Sequence, residues 1–159
     1  MKTVFALAIG ILALAPGAAG AGDQDRVAGT GQRLNLAGQA VLIHVNARSG
    51  QEGEHASGTY FVHRETALGT VSHRGRVTCV TVIGNRAAVR AIVEESSAPE
   101  NPVGSQFQIQ ITDNGSPGQL NDTNINFFGF DPGDTGCPII EFPEEPITAG
   151  NFVVHDATA

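Results

Sequence analysis

The sequence predicts an all-β fold: a single antiparallel β-barrel or β-sandwich of seven to eight strands carrying one disulfide. Three observations predict it. Apolar residues recur with a period of two rather than 3.6 through most of residues 39–159. Glycine, asparagine, aspartate and proline fall between those runs, where tight turns need them. No segment carries the apolar stripe of an amphipathic helix.

The elements follow in chain order. Residues 22–38 are polar and Gly-rich and read as a flexible lead-in, which places the folded domain at 39–159. In 40–47, Val41, Ile43, Val45 and Ala47 alternate with Ala40, Leu42, His44 and Asn46. In 58–65, Thr59, Phe61 and His63 alternate with Tyr60, Val62 and Arg64, and residues 68–73 add a short strand. In 76–83, Val77, Cys79, Thr81 and Ile83 lie opposite Thr78, Val80 and Val82. Gly84-Asn85 then forms a tight hairpin, since both residues tolerate positive φ. Ala87, Val89, Ala91 and Val93 oppose Arg86, Arg90 and Glu94 in 86–94. The cleanest half-buried strand is 105–113, with Phe107, Ile109 and Ile111 against Gln106, Gln108, Gln110 and Thr112. Strands at 123–130 and 151–156 complete the set, and Asp131-Pro132-Gly133-Asp134 has the residues of a type II turn. The succession of hairpins favours a barrel over a sandwich.

One strand breaks the alternation. Ile125 and Phe127 point one way, Phe128 and Phe130 the other, and both faces cannot meet one core. Three accounts are open. Gly129 marks a bulge; the 136–148 segment, with Ile139, Ile140 and Phe142, covers one pair of rings; or Phe127, Phe128 and Phe130 offer an apolar contact to a ligand or partner.

The N-terminus has the pattern of a secretory signal over residues 1–21. Lys2 is followed by an apolar run from Val4 to Ala15, too short to span a bilayer, and by the small-residue site Ala19-Gly20-Ala21. The remainder holds no other long apolar run, and no membrane span is expected. Removing Lys2, the only lysine, takes the formal charge from -7 to -8. Eight dispersed arginines in so acidic a chain give no basic stripe for nucleic acid. Cys79 and Cys137 would both be exported, and an oxidising compartment favours a disulfide between them.

The stretch Asp113–Asp122, DNGSPGQLND, concentrates oxygen donors. Asp113, Asn114, Asn121 and Asp122, with Asp131 and Asp134 from the next loop, would suit a calcium ion, which takes six to eight oxygens. The spacing fits no calcium-loop rule, and turn chemistry explains the same residues: Asp and Asn bond their own backbone, Gly115 and Gly118 take positive φ, and Pro117 fixes φ. Of the five histidines, His44, His55, His63, His73 and His155, no pair has a metal-ligand spacing. There is no GxSxG elbow, and the acid pairs Glu94-Glu95 and Glu144-Glu145 point to opposite faces of extended chain.

Taken together, GRVTCVTVIGN with Ala87-Ala88-Val89, DNGSPG, Gly136-Cys137-Pro138 and the closing GNFVVHDA resemble a group of small secreted proteins of unknown function from GC-rich Gram-positive bacteria. The likeness spans roughly residues 38–156. It implies a signal peptide, an all-β domain and a Cys79–Cys137 bond, and brings no activity, cofactor or partner.

The resulting expectation is a secreted, extracellular binding or cell-surface module without enzymatic activity. Its small-molecule, surface or protein ligand would sit at one rim, near loops 113–122 and 131–136, with calcium as the one cofactor the residues suggest. The alternatives are a metal- or carboxylate-dependent enzyme using two or more of His44, His63, His73 and Asp113 in a barrel mouth, and a purely structural envelope protein.

Overall fold

A computed structural model describes residues 24–115, 121–131 and 133–159. The signal-like segment 1–21 and the SPGQL centre of the Asp113–Asp122 stretch lie outside the described residues. The chain forms one closed barrel of eight antiparallel strands in simple meander order. They are β1 (Gln24–Leu34), β2 (Ala40–Gly50), β3 (Ser57–Thr66), β4 (Gly69–Ile83), β5 (Arg86–Ser96), β6 (Gln106–Thr112), β7 (Thr123–Phe128) and β8 (Glu145–His155). Among the described residues no helix is long and apolar enough to cross a membrane.

The alternation places side chains as expected along β2, where Val41, Ile43, Val45 and Ala47 fill the interior and His44 and Asn46 face out. Ala87, Val89, Ala91 and Val93 of β5 do the same, as do Tyr60 and Val62 of β3. A small barrel needs this: eight strands leave an interior that side chains can fill.

Three elements depart from the alternation. The lead-in expected over 22–38 is largely β1, paired with β2 from Gln24↔Gly50 to Leu34↔Ala40. Its apolar signal is weak because inward positions fall on Gly29 and Gly31 beside Val27. At Gly31 the volume comes from another strand, since a Cβ there would lie 2.3 Å from the Phe152 ring. In β4, the register against β5 shifts between Val77 and Cys79. The bulge turns both Val77 and Val80 inward and leaves Cys79 on the outer wall. The short 68–73 strand and the 76–83 strand are one continuous element.

β6 is buried on both faces, not one: Gln106, Gln108 and Gln110 are as enclosed as Phe107, Ile109 and Ile111. The connection 129–144 runs back along the outer wall and covers them. Cys137 is bonded to Cys79, their Cα atoms 5.9 Å apart. The Gln108 amide donates to the Pro138 carbonyl (3.0 Å), and the Gln110 amide donates to Ile140 O (3.0 Å) while accepting from Ile140 N–H (2.8 Å). The glutamines thus pair with the loop as a neighbouring strand would. Arg90, only 1 % exposed on this wall, bonds Gln108 Oε1 and pairs with Asp134 at 2.9 Å.

The bond between Cys79 and Cys137 joins residues 58 apart in sequence. Replacing both by alanine should destabilise the fold by about 4 kcal/mol, the entropy of a loop that long. The β signature in circular dichroism should persist, and amide exchange should accelerate in 106–112. An unchanged denaturation midpoint would mean that the glutamine contacts hold the loop by themselves.

Candidate functional site

The last seam to close is the weakest. β7 and β8 share only the register pairs Thr123↔Pro146 and Asn124↔Glu145, whereas β1 pairs with β8 from Arg26↔His155 to Arg33↔Ile147. At one end of this seam, side chains from the β6–β7 connection complete the missing ladder. Asp122 Oδ2 accepts the N–H of Phe152 (2.8 Å), and Asp113 Oδ2 accepts that of Val154 (3.0 Å). The second oxygens turn back on the loop: Asp122 Oδ1 takes Asn114 N–H (3.0 Å) and Asp113 Oδ1 takes Gly115 N–H (3.2 Å). Asn114 and Asn121 bond each other's carbonyls at 3.0 and 2.7 Å.

All four carboxylate oxygens are therefore committed to backbone donors, the arrangement of a turn that also caps a strand edge. The other residues of the expected calcium set are elsewhere. Asp134 is on the outer wall with Arg90, and its N–H closes a turn on the Asp131 carbonyl (2.9 Å). Among the described residues no group of three or more His, Cys, Asp or Glu side chains is arranged to hold a metal ion.

The histidines are dispersed too. His44 bonds Thr30 Oγ1 (2.8 Å) on the outside, where His63 stacks on Phe61. His73 faces inward, and Asp113 sits on the β8 edge. The three phenylalanines also part company. Phe127 meets Phe142 of the covering loop, Phe130 lies over the Arg90 guanidinium (4.0 Å), and Phe128 packs inward on Phe107. Gly129, at φ 77°, lets the chain turn Phe130 out to the side of Phe127. The register of β7 against β6 runs unbroken to Phe128, so Gly129 is a turn beyond the strand and not a bulge, while the covering loop accounts for Phe127.

At the other end of the seam the strands separate. β8 begins at Glu145, opposite Asn124, so Ile125 to Phe128 pair with β6 on one side and extend past the start of β8 on the other. A cavity of about 360 Å³ opens there, at the end of the barrel that carries the β1–β2 connection. Val41, Val62, Val71, Ala98 and Phe128 supply its apolar wall. Its polar groups are few and mostly engaged. Arg33, inside the barrel, donates Nε to Asn124 Oδ1 (2.8 Å) and its terminal nitrogens to Asn126 Oδ1 and Glu145. One guanidinium from β1 thus holds both β7 and β8. Burial lowers the Arg33 pKa, and Glu145 opposes that shift. Arg64 pairs with Glu100 across the opening.

His73 and Asn101 form the buried polar part. His73 Nδ1 lies 3.0 Å from Tyr60 Oη, and Nε2 lies 3.5 Å from the Asn101 amide nitrogen. Burial pushes His73 down to about 4, although Glu100 pulls the other way, and burial pushes the Tyr60 hydroxyl up. Both rings are therefore neutral at pH 7. Asn101 is 2 % exposed, and its Oδ1 has no hydrogen-bond partner within the protein.

This site was missed in the sequence because its residues come from separate strands and loops, none forming a motif. No protein-family model matches the chain, and neither does any curated protein or solved structure.

Two outcomes follow. Asp122→Ala orphans the Phe152 and Asn114 N–H groups and should cost roughly 2–6 kcal/mol at about 1–3 kcal/mol per lost partner. Asp113, nearer the surface, should cost less, and melts in EDTA and in calcium should superimpose. A calcium-dependent rise in Tm that disappears in Asp113→Ala would restore the cation reading.

The second outcome concerns pH. His73 has a folded pKa near 4, below its ordinary 6.5, so the unfolded chain binds the proton more readily. The His73 contribution to stability should be complete above pH 6.5, fall by roughly 3 kcal/mol between 6.5 and 4, and level off below. Urea unfolding across that window checks this, and His73→Gln should flatten the slope.

Proposed function

We propose that the protein is a secreted binding module, without enzymatic activity, whose ligand is a small and largely apolar molecule seated in the barrel mouth. The cavity at the open end of the β7–β8 seam carries this reading. Its volume of about 360 Å³ falls within the roughly 300–1,000 Å³ of small-molecule sites, and its wall is apolar with a few placed polar groups. Asn101, with its unpartnered oxygen, would take a donor on the ligand. The arginines at the opening are already paired with glutamates, which weighs against a strongly charged ligand.

Secretion rests on the signal-like residues 1–21 and agrees with the disulfide. The expectation placed the ligand near loops 113–122 and 131–136; this cavity lies at the end opposite 113–122. Calcium has no role in this reading, because the Asp113 and Asp122 oxygens serve the backbone.

The test is a titration of residues 22–159, which contain all eight strands and the disulfide, with the apolar fluorophore N-phenyl-1-naphthylamine. Saturable binding at one site is expected. Val71→Trp, at a half-buried position in the cavity wall, should fill the space and weaken binding at least tenfold, about 1.4 kcal/mol, with Tm nearly unchanged. Unsaturable uptake, or uptake indifferent to Val71→Trp, would reject the site.

A further inference from the structure

The two ends of the barrel differ in what their turns expose. At the cavity end, Leu36 in the β1–β2 connection and Leu68 in the β3–β4 turn are fully exposed. Val103 in the β5–β6 connection is 65 % exposed, and Phe128, at the end of β7, is 46 % exposed. Each of these apolar tips stands on a different connection or strand end around one opening, and Leu36 and Phe128 also line the cavity. The opposite end presents Gln51, Glu52, Glu54, Asn85, Asn114 and Asn121 from its turns, with Ile83 as the large exposed apolar side chain at a turn among the described residues and Val153 on the wall near the end of β8. Apolar tips are therefore a property of one end, not of the composition.

Exposed leucines at turn tips have no structural role in the barrel, since they touch no core. A ring of them, continuous with an apolar cavity, suits insertion into the acyl boundary of a lipid layer. Charge decides which layer. The rim arginines are paired, Arg33 with Glu145 and Arg64 with Glu100, and the outer wall nearby carries Arg74 paired with Glu95. Glu65 adds an exposed carboxylate close to the Leu68 turn. Among the described residues the rim has no surplus of cations to meet anionic headgroups. The rim matches a zwitterionic surface.

We propose that the cavity end of the barrel docks on a neutral lipid surface through Leu36, Leu68, Val103 and Phe128, and that the cavity takes its apolar ligand from that surface. The second half rests on the ligand-binding reading above; the docking half does not.

The experiment is co-sedimentation of residues 22–159 with phosphatidylcholine vesicles and with vesicles containing phosphatidylglycerol. The variants are Leu68→Asp/Val103→Asp at the rim, neither residue lining the cavity, and Ile83→Asp at the far end, all at exposed positions where folding tolerates the change. Wild type and Ile83→Asp should partition alike onto phosphatidylcholine vesicles, and no better onto those containing phosphatidylglycerol. The rim variant should partition at least tenfold less while binding N-phenyl-1-naphthylamine with wild-type affinity. Docking is overturned by absence of wild-type partitioning, by equal loss in Ile83→Asp, or by binding confined to the anionic vesicles. A Leu68- and Val103-dependent dimer in sedimentation velocity, without vesicle binding, would overturn it too and assign the rim to a second copy. Vesicle binding without fluorophore binding would overturn the cavity reading and the delivery of ligand, leaving docking in place.

Discussion

Closure of the β7–β8 seam is the constraint on which the rest of this structure depends. A meander barrel must join its last strand to its first, and here β8 joins β1 along most of its length but meets β7 at only two register pairs. An open edge leaves unpaired N–H and C=O groups that water or another chain would satisfy. The molecule satisfies them with side chains instead. Asp113 and Asp122 accept two N–H groups of β8, and Arg33 reaches from β1 to Asn124 and Asn126 of β7 and Glu145 of β8. A buried arginine contributes little net stability, because its desolvation offsets most of the attraction. Its value is geometric: Asn124, Asn126 and Glu145 can reach its three nitrogens together only when β1, β7 and β8 are in this arrangement.

The same defect makes the cavity. Elsewhere the interior is filled by Val, Ile, Ala, Tyr and Phe at the density an eight-stranded barrel permits. Along β7 the inward positions are Asn124, Asn126 and Phe128, and Ile125–Phe128 extend past the start of β8. Polar side chains that must reach Arg33 cannot also fill space toward the opening. The void therefore lies where the hydrogen-bond requirement of the seam displaces apolar packing. The outer wall shows the converse solution. The 129–144 segment, leaving β7 at the open end, returns along β6 and is fixed by Cys137 and the two glutamines, so the long connection that the short strand requires becomes a second layer of cover.

Much of the fold was legible where a residue's face depends only on its own strand. The alternations in 40–47 and 86–94 predict their inward sets, and Gly84-Asn85 lies between β4 and β5 as the turn chemistry requires. Legibility failed where a neighbour sets the environment. Gly31 reads as loop because the apolar volume over it belongs to Phe152. Gln108 and Gln110 read as solvent-facing because nothing local announces a loop 30 residues away. The Thr78 bulge has no glycine or proline to mark it. The cavity has the same character on a larger scale, with residues drawn from β1 to β4, β7, β8 and two connections that meet only after closure.

DNGSPGQLND illustrates why dense polar chemistry in a turn is weak grounds for a ligand site. Oxygen donors suited to calcium are equally suited to backbone N–H groups, and a barrel with an unpaired β8 edge has such groups to satisfy. Which use prevails depends on what faces the carboxylates, and here the Phe152 and Val154 N–H groups face them at hydrogen-bond distance. A cation would have to repay the loss of those bonds within a fully buried Asp122. The inconspicuous residues at the opposite end face no such competition. Asn101 keeps an unpartnered oxygen, and Leu36 and Leu68 bury nothing in the barrel. Groups whose physical requirements the fold leaves unmet point outward from it more strongly than groups whose requirements it fulfils. That contrast is what supports the proposed reading of the cavity and its rim.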